Sequence, residues 1–124
     1  MIKSRNIEII KTAAENIKDF HKRQVRNSFI INDKRGVVTG QKVTPIEKVG
    51  VYVPGGTAAY PSTVLMDSIP AKIAGCKEVV MVTPPSKDGK VNPVILAAAK
   101  IAGIDKIFKV GGAQAVAALA YGTE

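Results

Sequence analysis

Val49-Gly50-Val51-Tyr52-Val53-Pro54-Gly55-Gly56 is a short run of strand formers that halts at a proline and two glycines. The same rhythm recurs twice further on. Glu78-Val79-Val80-Met81-Val82-Thr83 stops at Pro84-Pro85, and Lys106-Ile107-Phe108-Lys109-Val110 stops at Gly111-Gly112. Helical stretches lie between and after these runs. Ser62 to Ala74 reads as a helix that starts after a polar cap and ends at Gly75, with a kink or early break expected at Pro70. Asn92 is a good cap and Pro93 suits a first helical position, opening a helix that ends at Gly103. Ala113 to Tyr121 is a third, alanine-rich helix. Strands of five or six residues alternating with helices signal βαβ units, hence a parallel sheet with right-handed crossovers. Nearly continuous apolar strands are expected where helices cover both faces. The fold class predicted is α/β, a Rossmann-like βαβαβα half.

Two further elements precede it. From Asn6 to Phe29 apolar residues recur at helical spacing (Ile7, Ile10, Ala14, Ile17, Phe20) among Lys, Glu, Asp, Arg and Gln. This predicts a long amphipathic N-terminal helix whose stripe needs a cover. Residues 30–48 hold short β-branched runs around Gly36 and Gly40, the pattern of a small β-hairpin or of two edge strands. The organisation expected is residues 1–29 as helix, 30–48 as a small β element and 49–124 as the Rossmann-like half, in one compact domain.

Composition bounds the class. A chain of 124 residues suits one domain, and 46% hydrophobic with 23% charged residues excludes disorder, collagen and a disulfide scaffold. One cysteine forms no internal disulfide. No apolar run approaches the ~18 residues of a membrane span, and the N-terminus carries charges where a signal peptide needs an apolar core. A soluble, cytoplasmic protein is expected. The net charge of +8 raises the question of nucleic acid. Residues 1–48 carry 11 basic and 5 acidic side chains, whereas 49–124 carry 7 and 5, so the excess sits on the N-terminal segment. With no tryptophan and six Tyr plus Phe, little stacking surface exists for bases. A solvated helix face is the expectation, with no nucleic-acid partner.

Open parallel sheets bind ligands outside the carboxyl ends of their strands. Three loops lie there: Pro54 to Pro61, Thr83 to Asn92, and Gly111 to Gln114. Paired glycines let backbone approach a ligand closely, but they also serve ligand-free turns, and neither glycine loop is a GxGxxG fingerprint. Tyr52, near the end of its strand, either flanks a cofactor or fills a gap between helix and sheet. Gln114, in the first turn after Gly111-Gly112, either reaches a ligand or is solvated. Cys76 reads as a small buried hydrophobe and His21 as a surface residue on a charged helix. One His and one Cys cannot supply a zinc site, and no Ser/His/Asp set assembles. The residues describe a binding half without its chemistry.

Longer blocks carry a resemblance. Gly40-Gln41-Lys42-Val43-Thr44-Pro45-Ile46-Glu47-Lys48 running into Val49 to Gly56, Pro61-Ser62-Thr63-Val64-Leu65-Met66, Pro70-Ala71-Lys72-Ile73-Ala74-Gly75-Cys76 and Val110-Gly111-Gly112-Ala113-Gln114-Ala115 together resemble the histidinol dehydrogenase family, in the family's order and over essentially the whole chain. His21-Lys22-Arg23-Gln24 fits as well. Such enzymes oxidise L-histidinol through histidinal to L-histidine, the last steps of histidine biosynthesis, with two NAD⁺ in succession and a zinc ion that holds the substrate. The resemblance puts the family's cofactor-contacting tyrosine on Tyr52 and its glutamine on Gln114. It places a further cofactor asparagine, the glutamate–histidine acid/base pair and the zinc ligands in a later portion of the family's chain. It therefore implies a fragment that carries part of the NAD-binding region, has no catalytic residue or zinc ligand of its own, and is inactive alone. Family enzymes resemble intertwined dimers. A fragment deprived of its partner domains leaves the stripe of Ile7, Ile10 and Ile17 and the outer sheet edge uncovered, so a homodimer is expected. The competing expectation is a stable self-associating half-domain, a folding or evolutionary model that binds nothing.

Overall fold

The computed structural model describes residues 3–33, 35–55 and 59–123. Its elements are α1 (Ser4–Lys22), β1 (Phe29–Asn32), β2 (Val38–Gln41), β3 (Lys48–Tyr52), α2 (Pro61–Ala74), β4 (Glu78–Val82), α3 (Pro93–Ala102), β5 (Lys106–Phe108) and α4 (Ala113–Tyr121). The strands β3, β4 and β5 form a parallel sheet in that order, with Tyr52 opposite Val82 and Val82 opposite Phe108. The strands β1 and β2 form a separate antiparallel hairpin, Phe29 facing Gln41. This is the α/β architecture expected, a βαβαβα half behind a helix and a hairpin.

Period-two alternation assigns the faces of the sheet. Val51 and Val53 of the β3 segment are buried with Val79 and Met81 of β4 and with Val64, Leu65 and Ile69 of α2. Burying each such side chain contributes about 1.5–3 kcal/mol, so this face dominates the stability. Helices α2 and α3 pack on each other there, and α1 lies across both. The opposite face is covered differently. A β-carbon at Gly50 would lie 2.7 Å from Leu119 Cδ1, so α4 seats on β3 through that glycine. Four turns of helix are not available on this side: α4 has nine residues, and Phe108 remains half exposed. The expectation of helices over both faces holds fully on one side and partly on the other.

Other boundaries shift for local reasons. The N-terminal helix, expected to reach Phe29, ends at Lys22 with Arg23 as its cap. Phe20, the last apolar residue of the stripe, stays exposed, so a further turn would bury nothing. Ile10 and Ala14 are buried and Ile17 packs on the core, all against helices of the same chain. The stripe on which self-association was expected to act is therefore largely covered internally. Helix α2 starts one residue early, at Pro61, with Tyr60 in the cap position and no side-chain cap bond. It runs through Pro70 without a break; the carbonyl deprived of its partner is that of Met66, an exposed residue. Helix α3 follows its signals closely: Asn92 Oδ1 accepts from the Val94 amide at 2.9 Å, and Gly103 ends the helix in the left-handed region.

Charge pairs gather at the amino-terminal edge of the sheet. Glu78 lies between Lys48 and Lys106, at 3.8 and 2.6 Å, bridging three strands. Asp105 accepts from Lys72 Nζ at 2.6 Å and from the Val79 amide at 2.8 Å. The Lys106 hydrogen bond holds the Glu78 carboxyl below the usual carboxylate range, and Lys72 followed by the Val79 amide does the same for Asp105. Glu78 in turn raises Lys106.

Candidate functional site at the carboxyl edge

The other end of the sheet is where the loops meet. Val53 N–H donates to the Val82 carbonyl at 2.9 Å and Thr83 N–H to the Phe108 carbonyl at 3.1 Å, so the three strands stay in step to their last residues. Beyond that point the chain turns sharply, and the absence of side chains permits close approach. A β-carbon at Gly55 would collide with the Pro84 carbonyl oxygen and come within 3.0 Å of Thr83 Oγ1. One at Gly111 would stand 2.7 Å from Pro84 Cβ. Pro84 is thus wedged between the loops that follow β3 and β5. Lys109 Nζ, donating to the Gly89 carbonyl at 3.1 Å, ties the loop after β4 to the β5 side.

Tyr52 and Gln114 come together on this rim. Alternation turns Tyr52, like Gly50, toward the α4 face, and its hydroxyl oxygen accepts from Gly112 N–H at 3.2 Å. Gly112 has φ +79° and ψ 176°, a conformation that is essentially reserved for glycine. The Gln114 carboxamide folds back over the same glycine: a β-carbon there would lie 2.5 Å from Oε1 and 2.7 Å from Nε2. Two side chains 62 positions apart therefore share one glycine, at the edge where open parallel sheets receive ligands. Gly56, also part of the expected glycine loop, lies outside the described residues.

The remaining candidates lie elsewhere. Cys76 is buried in the core cluster as a small hydrophobe. His21 pairs through Nδ1 with Gln24 Oε1 at 2.6 Å, beside a recess of about 380 Å³ lined by Val43, Pro45 and Ile73. Among the described residues, no three of His, Cys, Asp and Glu come together in a way that could hold a metal ion, so the donors present do not fit a zinc ion. The carboxyls with lowered pKa, Glu78 and Asp105, are at the opposite edge of the sheet. The carboxyl rim offers an aromatic hydroxyl and a carboxamide, which are groups that hold and orient a polar ligand. No helix among the described residues is long and apolar enough to cross a membrane.

The sequence singled out Tyr52 and Gln114 separately, but not the parts that Pro84 and Gly112 take in joining the loops of this rim. Pro84 was legible only as a strand stop, and its wedging depends on a tertiary approach that no local pattern encodes. The paired glycines at 111–112 were a partial signal for the second.

Comparison with known proteins bears on the whole chain. A family profile described as histidinol dehydrogenase matches residues 1–124. The histidinol dehydrogenase of Clostridium acetobutylicum is 61% identical over 115 residues, covering 93% of this chain and 27% of that protein. The Lactiplantibacillus plantarum histidinol dehydrogenase is 62% identical over 112 residues, covering 90% and 26%. The crystal structure of histidinol dehydrogenase from Elizabethkingia anophelis superposes with a TM-score of 0.91 at 46% identity, over 99% of this chain and 28% of that one. The chain thus spans little more than a quarter of the length of these relatives.

Proposed function

Because the chain belongs to the histidinol dehydrogenase family, we propose that it supplies part of the dinucleotide-binding region of an NAD-dependent enzyme that oxidises L-histidinol through histidinal to L-histidine, in histidine biosynthesis. The observation that carries this reading is the meeting of Tyr52 and Gln114 at Gly112, on the carboxyl edge of the parallel sheet. NAD⁺, when bound, supplies the hydride acceptor for each oxidation. The residues of this chain bind and orient. The Tyr52 ring and hydroxyl flank the cofactor, and the Gln114 carboxamide offers it a donor and an acceptor. Glycines 55 and 111 let the loops after β3 and β5 close on Pro84 at the edge where Tyr52 and Gln114 lie.

Among the described residues no three potential donors come together, so the role proposed for this chain is to bind and orient the dinucleotide. We further propose that the acid/base pair and the metal ligands come from outside these 124 residues, so that a polypeptide of these residues alone turns over no substrate. Incubation of the purified chain with L-histidinol, NAD⁺ and zinc should give NADH at the background rate; zinc-dependent NADH formation would overturn this. Calorimetric titration with NAD⁺ should show weak, millimolar-range binding that Gln114→Ala reduces further. Equal binding by the variant would remove Gln114 from the site.

A second reading rests on another observation. Both strands of the β1–β2 hairpin are exposed along their whole length, with Phe29, Ile30, Ile31 and Val38 open to solvent. An isolated two-stranded hairpin is marginal in water. Covering it by a second copy stabilises both, so the chain forms a homodimer through this surface, with or without cofactor affinity. We further propose a cytoplasmic location, which follows from reading the chain as part of a biosynthetic dehydrogenase.

A further inference from the structure

We propose that Gly112 is a positioning residue for the cofactor rim: by giving its N–H to Tyr52 and the space above its Cα to the Gln114 carboxamide, it holds these two side chains in a fixed mutual arrangement. The proposal rests on the reading of Tyr52 and Gln114 as cofactor-facing, and assigns Gly112 a part that acts only through them. Three features meet at this one residue. Its N–H donates to the Tyr52 hydroxyl 60 residues earlier at 3.2 Å. Its φ of +79° with ψ near 180° strains any residue carrying a β-carbon. The position such a carbon would take is filled by Gln114 Oε1, Nε2 and Cδ, at 2.5, 2.7 and 2.9 Å.

The last feature decides what a substitution does. At Gly55 the opposing atom is a backbone carbonyl oxygen, which cannot move without shifting the chain. At Gly112 it is the far end of a flexible side chain. A methyl group there expels the Gln114 carboxamide from its position and, through the positive φ, also strains the turn that opens α4, without prising strands apart. Tyr52, anchored by β3, pins the amide from the other side, because β3 is locked in register to Tyr52 opposite Val82. Gly112 is also the cap residue of α4, which has no side-chain cap bond, so the Tyr52 contact fixes where that helix begins.

The test uses the ¹⁵N-labelled chain, first without ligand. Tyr52→Phe removes the acceptor while keeping the ring, so the Gly112 amide proton should move upfield and the Gln114 carboxamide pair should shift with it. Gly112→Ala should displace the Gln114 carboxamide resonances while circular dichroism remains that of the folded chain. With NAD⁺ as the probe, Gly112→Ala should weaken binding about tenfold, and Gln114→Ala should then add little, because both changes remove the same contact. The proposal is overturned if Tyr52→Phe leaves the Gly112 and Gln114 resonances in place, or if Gly112→Ala binds NAD⁺ as tightly as the unsubstituted chain. Should Gly112→Ala fail to fold, the Tyr52→Phe shifts decide alone. A complete lack of NAD⁺ binding by the unsubstituted chain would count against the cofactor reading, and the ligand-free shifts would still decide whether Gly112 couples the two side chains.

Discussion

Gly55 lies so close to the carbonyl of Pro84 that no β-carbon fits between them. This approach joins the loop after β3 to the loop after β4, and Gly111 repeats it from the other side against the Pro84 ring. The rim is therefore built by backbone contact at glycines, which makes it sensitive to the smallest additions.

Alanine at Gly55 or Gly111 should destabilise the chain. Overpacking a closely fitted site costs typically about 1–3 kcal/mol. Gly55→Ala should cost more, since it meets a backbone carbonyl oxygen where Gly111→Ala meets ring carbons at 2.7 Å. Urea melts monitored by circular dichroism measure both. Unchanged midpoints would mean that the loops do not meet at Pro84.

Ser68→Ala should have the opposite sign. The Ser68 side chain is fully buried in α2, and its hydroxyl is the buried side-chain oxygen without a hydrogen-bond partner among the described residues. Removing an unsatisfied hydroxyl recovers part of a ~1–3 kcal/mol desolvation penalty, and alanine is the better helix former. The melting temperature should rise by a few degrees. A fall would show that the hydroxyl has a partner.

Stability should decline in acid through the amino-terminal edge. Glu78 and Asp105 have carboxyl pKa values below their ordinary 4.5 and 3.8. A depressed value in the folded state means that the unfolded chain takes up protons first. The contribution is thus complete above the ordinary values and is lost as pH falls through the folded ones. Lys106 is raised above 10.5, so its share persists below that pH and is lost as pH climbs past the folded value. Melting temperatures from pH 7 downward should fall more steeply for the unsubstituted chain than for Glu78→Gln. Identical slopes would remove the Lys48–Glu78–Lys106 ladder from the acid response.

The hairpin surface gives a separate expectation. Ile30, 78% exposed, lies on β1 opposite Gly40 of β2. Ile30→Asp should shift the chain toward monomer in light scattering at ~100 μM while leaving its fold intact, because a charge on a shared apolar surface opposes burial. A monomeric unsubstituted chain would end the homodimer reading.

Where the sequence was informative, the signals were local. Asn92, Pro93 and Gly103 marked α3 because capping depends on residues within a turn of the helix end. The stops after β3 and β4 were likewise local, whereas β5, expected to reach Val110, ends at Phe108. What escaped depended on distant partners. The end of α1 at Lys22 follows from Phe20 lying outside the core, exposed and touching only the neighbouring His21 ring edge-on. The wedge at Pro84 needs the approach of Gly55 and Gly111 from separate loops. The internal cover of Ile10 and Ala14 needs α2 and α3 to lie together on one face. Tyr52 and Gln114 were identifiable individually, but their meeting at Gly112 is a property of the folded sheet.

The most direct test of a shared cofactor rim follows amide resonances of the ¹⁵N-labelled chain during titration with NAD⁺ to ~10 mM, a range suited to millimolar binding. The account predicts shifts confined to Gly55, Gly111, Gly112 and both the backbone and carboxamide of Gln114, all moving with one dissociation constant. Resonances that stay still at that edge, or that move instead around His21 and Val43, would contradict it.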